Sequence, residues 1–398
     1  MSTLLEQHAV PRGFRFAAGT AGIKASGRPD VALIEAPDGA NAAAMFTRNR
    51  VAAAPVVLGR RHLVLSRGKL RAVVINAGNA NCATGADGMR AAKKTCDALA
   101  ALLGVEPWHI LPSSTGIIGV PLPVGKLVAS LPRLVESPRE DALLDVAHAI
   151  MTTDTRPKVA SATVRAGKHT ASVVGVAKGA GMIHPDMATM LVYILTDAVA
   201  PPALLRRVLK GAAAQSLNCI SIDGDTSTND TAVLMASGVS GLNAAAHEKQ
   251  FAAAVTSVCA SLADQIVADG EGVKHRITLR VEGASSTSAA ARIARTVAQS
   301  LLVKTAWAGA DPNWGRVLAA AGRSGVAIDP SNVDIWIGTQ KVCARGGAVA
   351  FDAEKAHCEM SEPAYEIRIR VGKGSGTSRV LTTDLTAEYV RINADYST

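Results

Sequence analysis

Aromatic residues, long apolar runs and clustered basic residues are all scarce in this 398-residue chain. Only 3% of the residues are aromatic while 48% are hydrophobic, so we expect a globular core built from alanine and aliphatic side chains. No apolar run approaches the roughly 18–20 residues of a membrane-spanning helix. The net charge is +9, without a basic block or basic–aromatic interleaving, so neither a membrane nor a nucleic acid is predicted as a partner.

Cysteine is also infrequent. The six cysteines are widely spaced, form no C-x-x-C pair and have no histidine at zinc-ligand spacing, so no metal site is predicted. The N-terminus lacks a basic segment followed by an apolar one, so no secretory signal is expected. These two observations predict reduced, packed thiols and a cytoplasmic location.

The order of hydrophobic patterns predicts an α/β protein with two domains or lobes. Short apolar runs separated by Gly, Pro, Asp and Asn are typical of strands and turns, as at residues 70–75. Apolar residues at helical spacing predict helices at residues 87–103, 244–268 and 289–302. Residues 333–392 are again rich in strand-like runs.

The stretch at residues 178–197 carries the most specific chemical signal. A glycine-bearing loop leads through His184 to Thr189, which stands at the head of an apolar, strand-like run. A threonine hydroxyl is a weak nucleophile unless a base takes its proton, and an N-terminal threonine carries such a base in its own α-amine. One hypothesis is therefore self-cleavage between Ala188 and Thr189, followed by catalysis from the new terminus. The alternative is a plain loop that enters a buried strand.

Three polar segments of the first half have two interpretations each. The Asn/Gly-rich residues 76–85 are either turn-forming residues that tolerate positive φ or a source of backbone donors beneath a site. Thr115 and Gly116 follow a short strand and are either a simple turn or a hydroxyl and an N–H aimed at one point, as an oxyanion hole requires. The hydroxyls of residues 152–155 either bind a substrate or cap local turns.

The second half adds further polar segments. Residues 223–231 form the densest polar cluster of the chain, and the glycine and glutamate of an EF-hand loop are absent from it. Glu271 lies in a glycine loop, where it is either solvated or faces a ligand amine. The last residues, Asn393 to Thr398, do not form a polar tail, so we expect this terminus to be tied down and to reach a site.

Together, these segments resemble those of the glutamate N-acetyltransferase family, also called ornithine acetyltransferases, of arginine biosynthesis. The resemblance covers essentially the whole chain, and its longest motifs are highly specific. The motifs are VPRGF at 10–14, NAGNANCATG at 76–85, STGIIG at 114–119, KGAGMIHPDMATML at 178–191, SIDGDTSTNDT at 221–231, DGEG at 269–272, ADPNWGR at 310–316 and YVRINADYST at 389–398. Ser114 stands where the family usually has threonine, a departure that removes no group the chemistry needs.

The resemblance implies roles for individual residues. Thr189 would be the nucleophile, freed when the precursor cuts itself after Ala188 into an α-chain of residues 1–188 and a β-chain of residues 189–398. Thr115 and Gly116 would form the oxyanion hole. The substrate-binding positions would be Thr152, Lys178, Thr189, Glu271, Asn393 and Thr398.

The resemblance also implies a reaction and an assembly. Family members move an acetyl group from N-acetylornithine to glutamate through an acetyl-threonine intermediate, without a bound cofactor, and some accept acetyl-CoA as donor. The implied fold is α/β with stacked β-sheets sandwiched by helices, and the implied assembly is two α-chains with two β-chains. Two alternatives stay open: an N-terminal-nucleophile amidase or aminopeptidase, which would release its product to water, and a non-catalytic binding protein.

Overall fold

The computed structural model describes residues 10–184 and 190–395 of the chain. The predicted cleavage pair Ala188 and Thr189, and the predicted substrate-binding residue Thr398, lie outside the described residues. The strands are β1 Arg15–Gly19, β2 Val31–Phe46, β3 Lys69–Asn79, β4 Ile110–Ile117, β5 Lys158–Ala166, β6 His169–Lys178, β7 Leu191–Thr196, β8 Ile220–Ser221, β9 Thr231–Ala236, β10 Arg276–Ala284, β11 Asp334–Ile337, β12 Gln340–Ala344, β13 Gly347–Ala348, β14 Ala364–Arg370 and β15 Gly376–Thr383. The helices are α1 Ala54–Leu65, α2 Gly85–Leu103, α3 Val124–Glu136, α4 Leu143–Ala149, α5 Pro202–Gln215, α6 Glu248–Ala268, α7 Thr287–Ala298, α8 Leu301–Ala308, α9 Trp314–Gly322, α10 Ala353–Ser361 and α11 Ala387–Asp395.

Eight strands of the described residues form one large mixed sheet, in the order β4-β3-β2-β9-β7-β6-β5, with β1 paired to β2. Every residue of β7 and of β9 is buried, as expected for apolar strands covered on both faces. β7 is antiparallel to β6 and parallel to β9, and β9 is antiparallel to β2. Strands from the two sides of the predicted cut therefore lie side by side at the centre of one sheet.

Helices cover both faces of this sheet. Successive residues of β7 point to opposite faces, because side chains alternate along a strand. Val192 and Ile194 pack on one face with Leu205 of α5 and Leu262 of α6. Tyr193 belongs to a second core on the other face, which α4 covers. A third aliphatic core lies under α2 and α3, beside β3.

Helix α6 joins the two halves of the fold. By length and composition it could cross a membrane, with a mean hydropathy of 1.5. However, its apolar residues are packed inside the protein, among them Phe251, Val255, Val258 and Ile266. They contact β5 and β6 of the large sheet, and the helix also contacts β15 and β8 of a second sheet. Its apolarity is therefore accounted for by its place in the core.

The second sheet contains seven strands of the described residues, in the order β13-β12-β11-β14-β10-β15-β8. On one face Ile277, Leu279 and Val281 of β10 pack against Ile293 and Val297 of α7. The alternate residues of β10, Arg276, Thr278, Arg280 and Glu282, are polar or charged and lie on the opposite face. The predicted α/β class, with two sheets flanked by helices, is confirmed.

Two predicted helix boundaries were wrong. The helix predicted at 289–302 is two helices, α7 and α8, separated by Gln299 and Ser300. Ser300 has φ −74° and ψ 112°, an extended conformation that interrupts a helix. The helix predicted at 244–268 begins only at Glu248, because residues 244–247 form a turn in which the N–H of His247 donates to the carbonyl of Ala244.

Candidate active site

A cavity of about 230 Å³ opens where β4 and β6 end. Its wall also includes the loop after β8, the glycine loop at 269–272 and helix α11. Six of the residues predicted from the sequence line it: Thr115, Gly116, Thr152, Lys178, Glu271 and Asn393. The fold therefore gathers candidates from distant parts of the chain around one space.

Close contact between two strands positions the predicted oxyanion residues. Gly116 of β4 lies opposite Gly78 of β3, at a β-bulge. Its φ is +129°, and a Cβ there would lie 2.3 Å from the carbonyl carbon of Gly78, so no other residue fits. The adjacent Thr115 hydroxyl accepts a hydrogen bond of 3.2 Å from Lys178 Nζ. Because an ammonium group only donates, the Thr115 O–H is left to donate to another acceptor, as an oxyanion site requires.

Lys178 belongs to a buried network of alternating charges. Burial lowers its pKa, while the negative charge of Asp154 opposes that shift. Asp154 accepts hydrogen bonds from Lys158 Nζ at 2.6 Å, from the Gly179 N–H at 2.6 Å and from the Thr152 N–H at 3.0 Å. Burial alone would raise the pKa of Asp154, but the charges of Lys178 and Lys158 and the hydrogen bonds from Lys158 and Gly179 lower it to about 2. Asp154 is therefore ionised near neutral pH and holds the backbone N–H groups of Thr152 and Gly179 beside the cavity.

Glu271 is held at the cavity by two close approaches. Its backbone N–H donates to the carbonyl of Ala180 at 2.9 Å, and its carboxylate accepts from Asn393 Nδ2 at 2.8 Å. A Cβ at Gly181 would lie 2.5 Å from the Glu271 carboxyl carbon, so the loop after β6 packs directly on this carboxylate. Gly272 has φ +63°, and a Cβ there would lie 2.4 Å from the backbone N of Tyr389, so helix α11 also packs closely here.

The polar cluster at residues 223–231 holds the segments around the cavity. Asp223 accepts the N–H groups of Met182 and Ile183, and burial raises its pKa to about 6. Asn229 Nδ2 donates to the carbonyls of Ala80 at 2.6 Å and Ser114 at 2.9 Å. This cluster therefore connects the loop after β6 with the loop after β3 and with strand β4, which carries the predicted oxyanion residues.

The next residue of the cluster holds the start of β7. Asp230 Oδ1 accepts the N–H of Met190 at 2.9 Å, and burial raises the pKa of this carboxyl group. Met190 directly follows Thr189 in the sequence. The residue after the predicted nucleophile is thus fixed by a buried side chain of the polar cluster.

Comparison with known proteins identifies the family. The model of the ArgJ family matches residues 15–398. The chain belongs to the ArgJ family. Its ArgJ relatives include the arginine biosynthesis bifunctional protein ArgJ of Methylococcus capsulatus, which is 46% identical over 395 residues, with 97% of this chain and 95% of that protein covered. The protein of the same name from Thermus thermophilus is 47% identical over 390 residues, with 98% and 99% covered. The solved structure of ornithine acetyltransferase complexed with ornithine, from Mycobacterium tuberculosis, is 38% identical, with a TM-score of 0.39 and coverage of 46% of this chain and 94% of that one.

The family predicted from the motifs is thus confirmed as ArgJ, and the geometry shows where the segments with open interpretations lie. In this ArgJ chain Asn81 has φ +47°, as the turn interpretation requires. Ala80 of the same loop lines the cavity, but its N–H donates to the carbonyl of Ile117. Thr152 lines the cavity, while Thr155 instead bonds to Asp269. Glu271 faces the cavity.

Sequence patterns did not predict every residue at the cavity of this ArgJ chain. Asp154, Asn229 and Tyr389 hold or line the cavity, but none was named as a candidate. Asn229 lies in the polar cluster between apolar segments, and that composition was its signal. Asp154 lies four residues before Lys158, a spacing too common to indicate a buried ion pair. Tyr389 begins the motif at 389–398, but one aromatic residue in a polar helix fits many surfaces and did not indicate a place at the cavity.

Proposed function

We propose that this ArgJ-family chain is a self-cleaving acetyltransferase of arginine biosynthesis, which moves acetyl from N-acetylornithine to glutamate through an acetyl-Thr189 intermediate. The family membership and the name of its relatives, arginine biosynthesis bifunctional protein, support the pathway. The observation that carries the mechanism is the convergence of Thr115, Gly116, Lys178 and Glu271 on one cavity. This cavity lies at the end of β6, the strand that precedes the proposed cut.

The proposed cut begins with the Thr189 hydroxyl, which attacks the carbonyl carbon of Ala188. The peptide C–N bond breaks, the acyl group passes from nitrogen to oxygen, and water hydrolyses the resulting ester. The products are an α-chain of residues 1–188, ending in a carboxylate, and a β-chain of residues 189–398, beginning with an amine. The position of Met190, fixed by Asp230, supports a defined place for the reacting bond.

The same groups would then serve the transfer. The new α-amine takes the proton of the Thr189 hydroxyl as its oxygen attacks the acetyl carbonyl of N-acetylornithine. The developing oxyanion accepts hydrogen bonds from the Thr115 hydroxyl and the Gly116 N–H, which act in both reactions. Ornithine leaves, and the amine of glutamate then attacks the acetyl ester and regenerates Thr189.

Charge complementarity supports the assignment of substrate groups. Lys178 is buried at the cavity wall and would hold a substrate carboxylate, since an ammonium group is a compact point charge. Glu271, fixed by Asn393, would pair with the side-chain ammonium of ornithine. This chemistry requires no bound cofactor, and acetyl-CoA is proposed as a second donor. The α2β2 assembly stays a prediction of the family resemblance, and the cytoplasmic location stays a prediction from the cysteine pattern and the N-terminal sequence.

Intact mass and an acceptor-dependent assay test the proposal together. The purified chain should give two masses that sum to the precursor plus one water, while Thr189→Ala should give one mass and no turnover. Thr170→Ala, at an exposed position of β6, is the matched control and should behave as the unmodified chain. With N-acetylornithine, release of ornithine should depend on glutamate. Release of acetate without glutamate would identify a hydrolase, and a fully active unbroken chain would reject the nucleophile.

A further inference from the structure

A second concave surface lies away from the cavity. It is a groove of about 490 Å³ between the C-terminal end of α5, helices α6 and α7, and strands β10 and β15 of the second sheet. Three arginines line it: Arg280 of β10, Arg295 of α7 and Arg379 of β15. We call it the arginine groove. Glu282 is the acidic side chain on its wall.

The positions of the arginines place like charges next to each other in the second sheet. Arg280 and Arg379 are directly opposite each other on antiparallel strands, and Arg368 of β14 is opposite Arg280 on its other side. Like charges in directly opposite positions destabilise a sheet. Arg280 lies 3.5 Å from Glu366. The side chains of Arg295 and Arg379 make no hydrogen bond or ion pair within residues 10–184 and 190–395. This uncompensated positive charge favours a bound anion.

The groove has the chemistry of a phosphate site. A guanidinium group presents a fork of donors that matches two phosphate oxygens, and several such groups match more than one phosphate. Thr287, the first residue of α7, and Ser378 add hydroxyl groups to the wall. The N-terminal end of α7 carries the positive end of a twelve-residue helix dipole, which also favours an anion.

An adjoining hollow extends from the groove toward the wall of the active-site cavity. This hollow, of about 570 Å³, shares Thr287 and Arg295 with the groove and ends at His184 and Gln299. Gln299 Nε2 lies 2.8 Å from a ring nitrogen of His184. A Cβ added at Gly224, the neighbour of Asp223 in the cavity wall, would lie 3.5 Å from the Gln299 side chain, so Gln299 lies close to this wall. A long ligand anchored at the arginines therefore has a path toward the cavity.

From these observations we infer that the arginine groove binds the diphosphate of a nucleotide or of a nucleotide-linked acyl carrier. If the diphosphate belongs to an acyl carrier, the inference rests on the proposed function, because such a carrier would deliver an acyl group to the cavity. If the diphosphate belongs to a free nucleotide, that nucleotide binds without taking part in acetyl transfer. The shared chemistry is a diphosphate held by Arg295 and Arg379, with Arg280 beside them.

The direct test is calorimetric titration of the cut protein with ADP and with inorganic pyrophosphate. Arg295→Gln and Arg379→Gln should each weaken binding by about tenfold or more, since a hydrogen bond to a charged group is lost. Arg165→Gln, at an exposed position of β5, is the matched control and should bind as the unmodified protein. Arg379→Gln also removes a like-charge contact, so its melting temperature should not fall. Equal affinity of all four proteins, or no binding of either probe, overturns the inference.

Kinetics separate the two sources of the diphosphate. If the ligand is an acyl carrier, the KM for acetyl-CoA with glutamate as acceptor should rise about tenfold in both groove variants, while the KM for N-acetylornithine stays within twofold. If ADP binding weakens but both KM values stay constant, the groove binds a free nucleotide. Failure of acetyl transfer from N-acetylornithine would reject the proposed function, whereas the titration with ADP would still decide the groove.

Discussion

Replacing Asp154 by asparagine tests how the buried charges of the site stabilise it. The Asp154 side chain is fully buried and lies 2.6 Å from Lys158 Nζ, which is also 2.6 Å from Asp269. Asparagine keeps the shape of the side chain and removes one negative charge. Lys158 would then rely on Asp269 alone, and Lys178 would lose the charge that most strongly opposes the lowering of its pKa.

Two estimates bound the cost of this change. Removing one partner of a buried ion pair typically costs about 3–5 kcal/mol. The pKa of Asp154, lowered from 3.8 to about 2, corresponds to about 2 kcal/mol that the ionised form contributes to the free energy of unfolding. Because Lys158 keeps Asp269, we expect a loss of about 2–3 kcal/mol, between these estimates. A lowered carboxyl pKa stabilises the fold above pH 3.8, and this contribution is lost as the pH falls through 2.

Urea unfolding of single-chain protein measures the effect. The Thr189→Ala background keeps one chain, so the midpoint does not depend on association of fragments. The control is Asp264→Asn, which removes a partly exposed partner of Arg276 and should cost less than about 1 kcal/mol. The difference between Asp154→Asn and its background should be constant from pH 5 to 8 and should shrink below pH 4. Equal costs for the two substitutions, or a difference that persists unchanged at pH 3, would refute the buried-charge argument.

Three further changes test other parts of the site. Thr115→Ala should slow both self-cleavage and acetyl transfer by about 10²–10³, measured by gel and by product formation, and a normal rate of either rejects the shared oxyanion site. Gly181→Ala should displace the Glu271 carboxylate and raise the KM for N-acetylornithine about tenfold, with an unchanged melting temperature. Lys304 is buried, and burial lowers its pKa to about 7, so the unfolded chain binds more protons than the folded one between pH 7 and 10. Stability should therefore rise with pH by about 4 kcal/mol over this range from Lys304 alone, and Lys304→Met should remove that rise in urea unfolding.

Local sequence patterns predicted much of the fold. The helix predicted at 87–103 is α2, and the strand predicted at 70–75 lies within β3, because hydrophobic periodicity and turn residues act over short distances. The helix predicted at 289–302 failed because Ser300 lies between two amphipathic segments whose patterns run on without a proline or glycine. Periodicity detects a buried face, but it does not detect a single extended residue.

The candidate site was predictable where motifs were long and was missed where partners were distant. The roles of Thr115 and Lys178 came from motifs, and the structure places their side chains in contact. The contacts of Asp154 with Gly179 and of Asn229 with Ala80 depend on how strands and loops meet in space. Asn229 and Ala80 are separated by 149 residues, and no local pattern reports such a pair.

The central position of β7 and β9 sets the order of events in the proposed maturation, in which a cut after Ala188 gives two fragments. Both strands come from the second fragment, and they are flanked by β2 and β6 from the first. The reacting bond can reach its neighbours only when this interleaved sheet already exists, so assembly must precede scission. Afterwards the two polypeptides share a ladder of backbone hydrogen bonds that neither could replace alone, which makes them one folding unit with four chain ends. Slow-folding variants should accumulate as intact precursor.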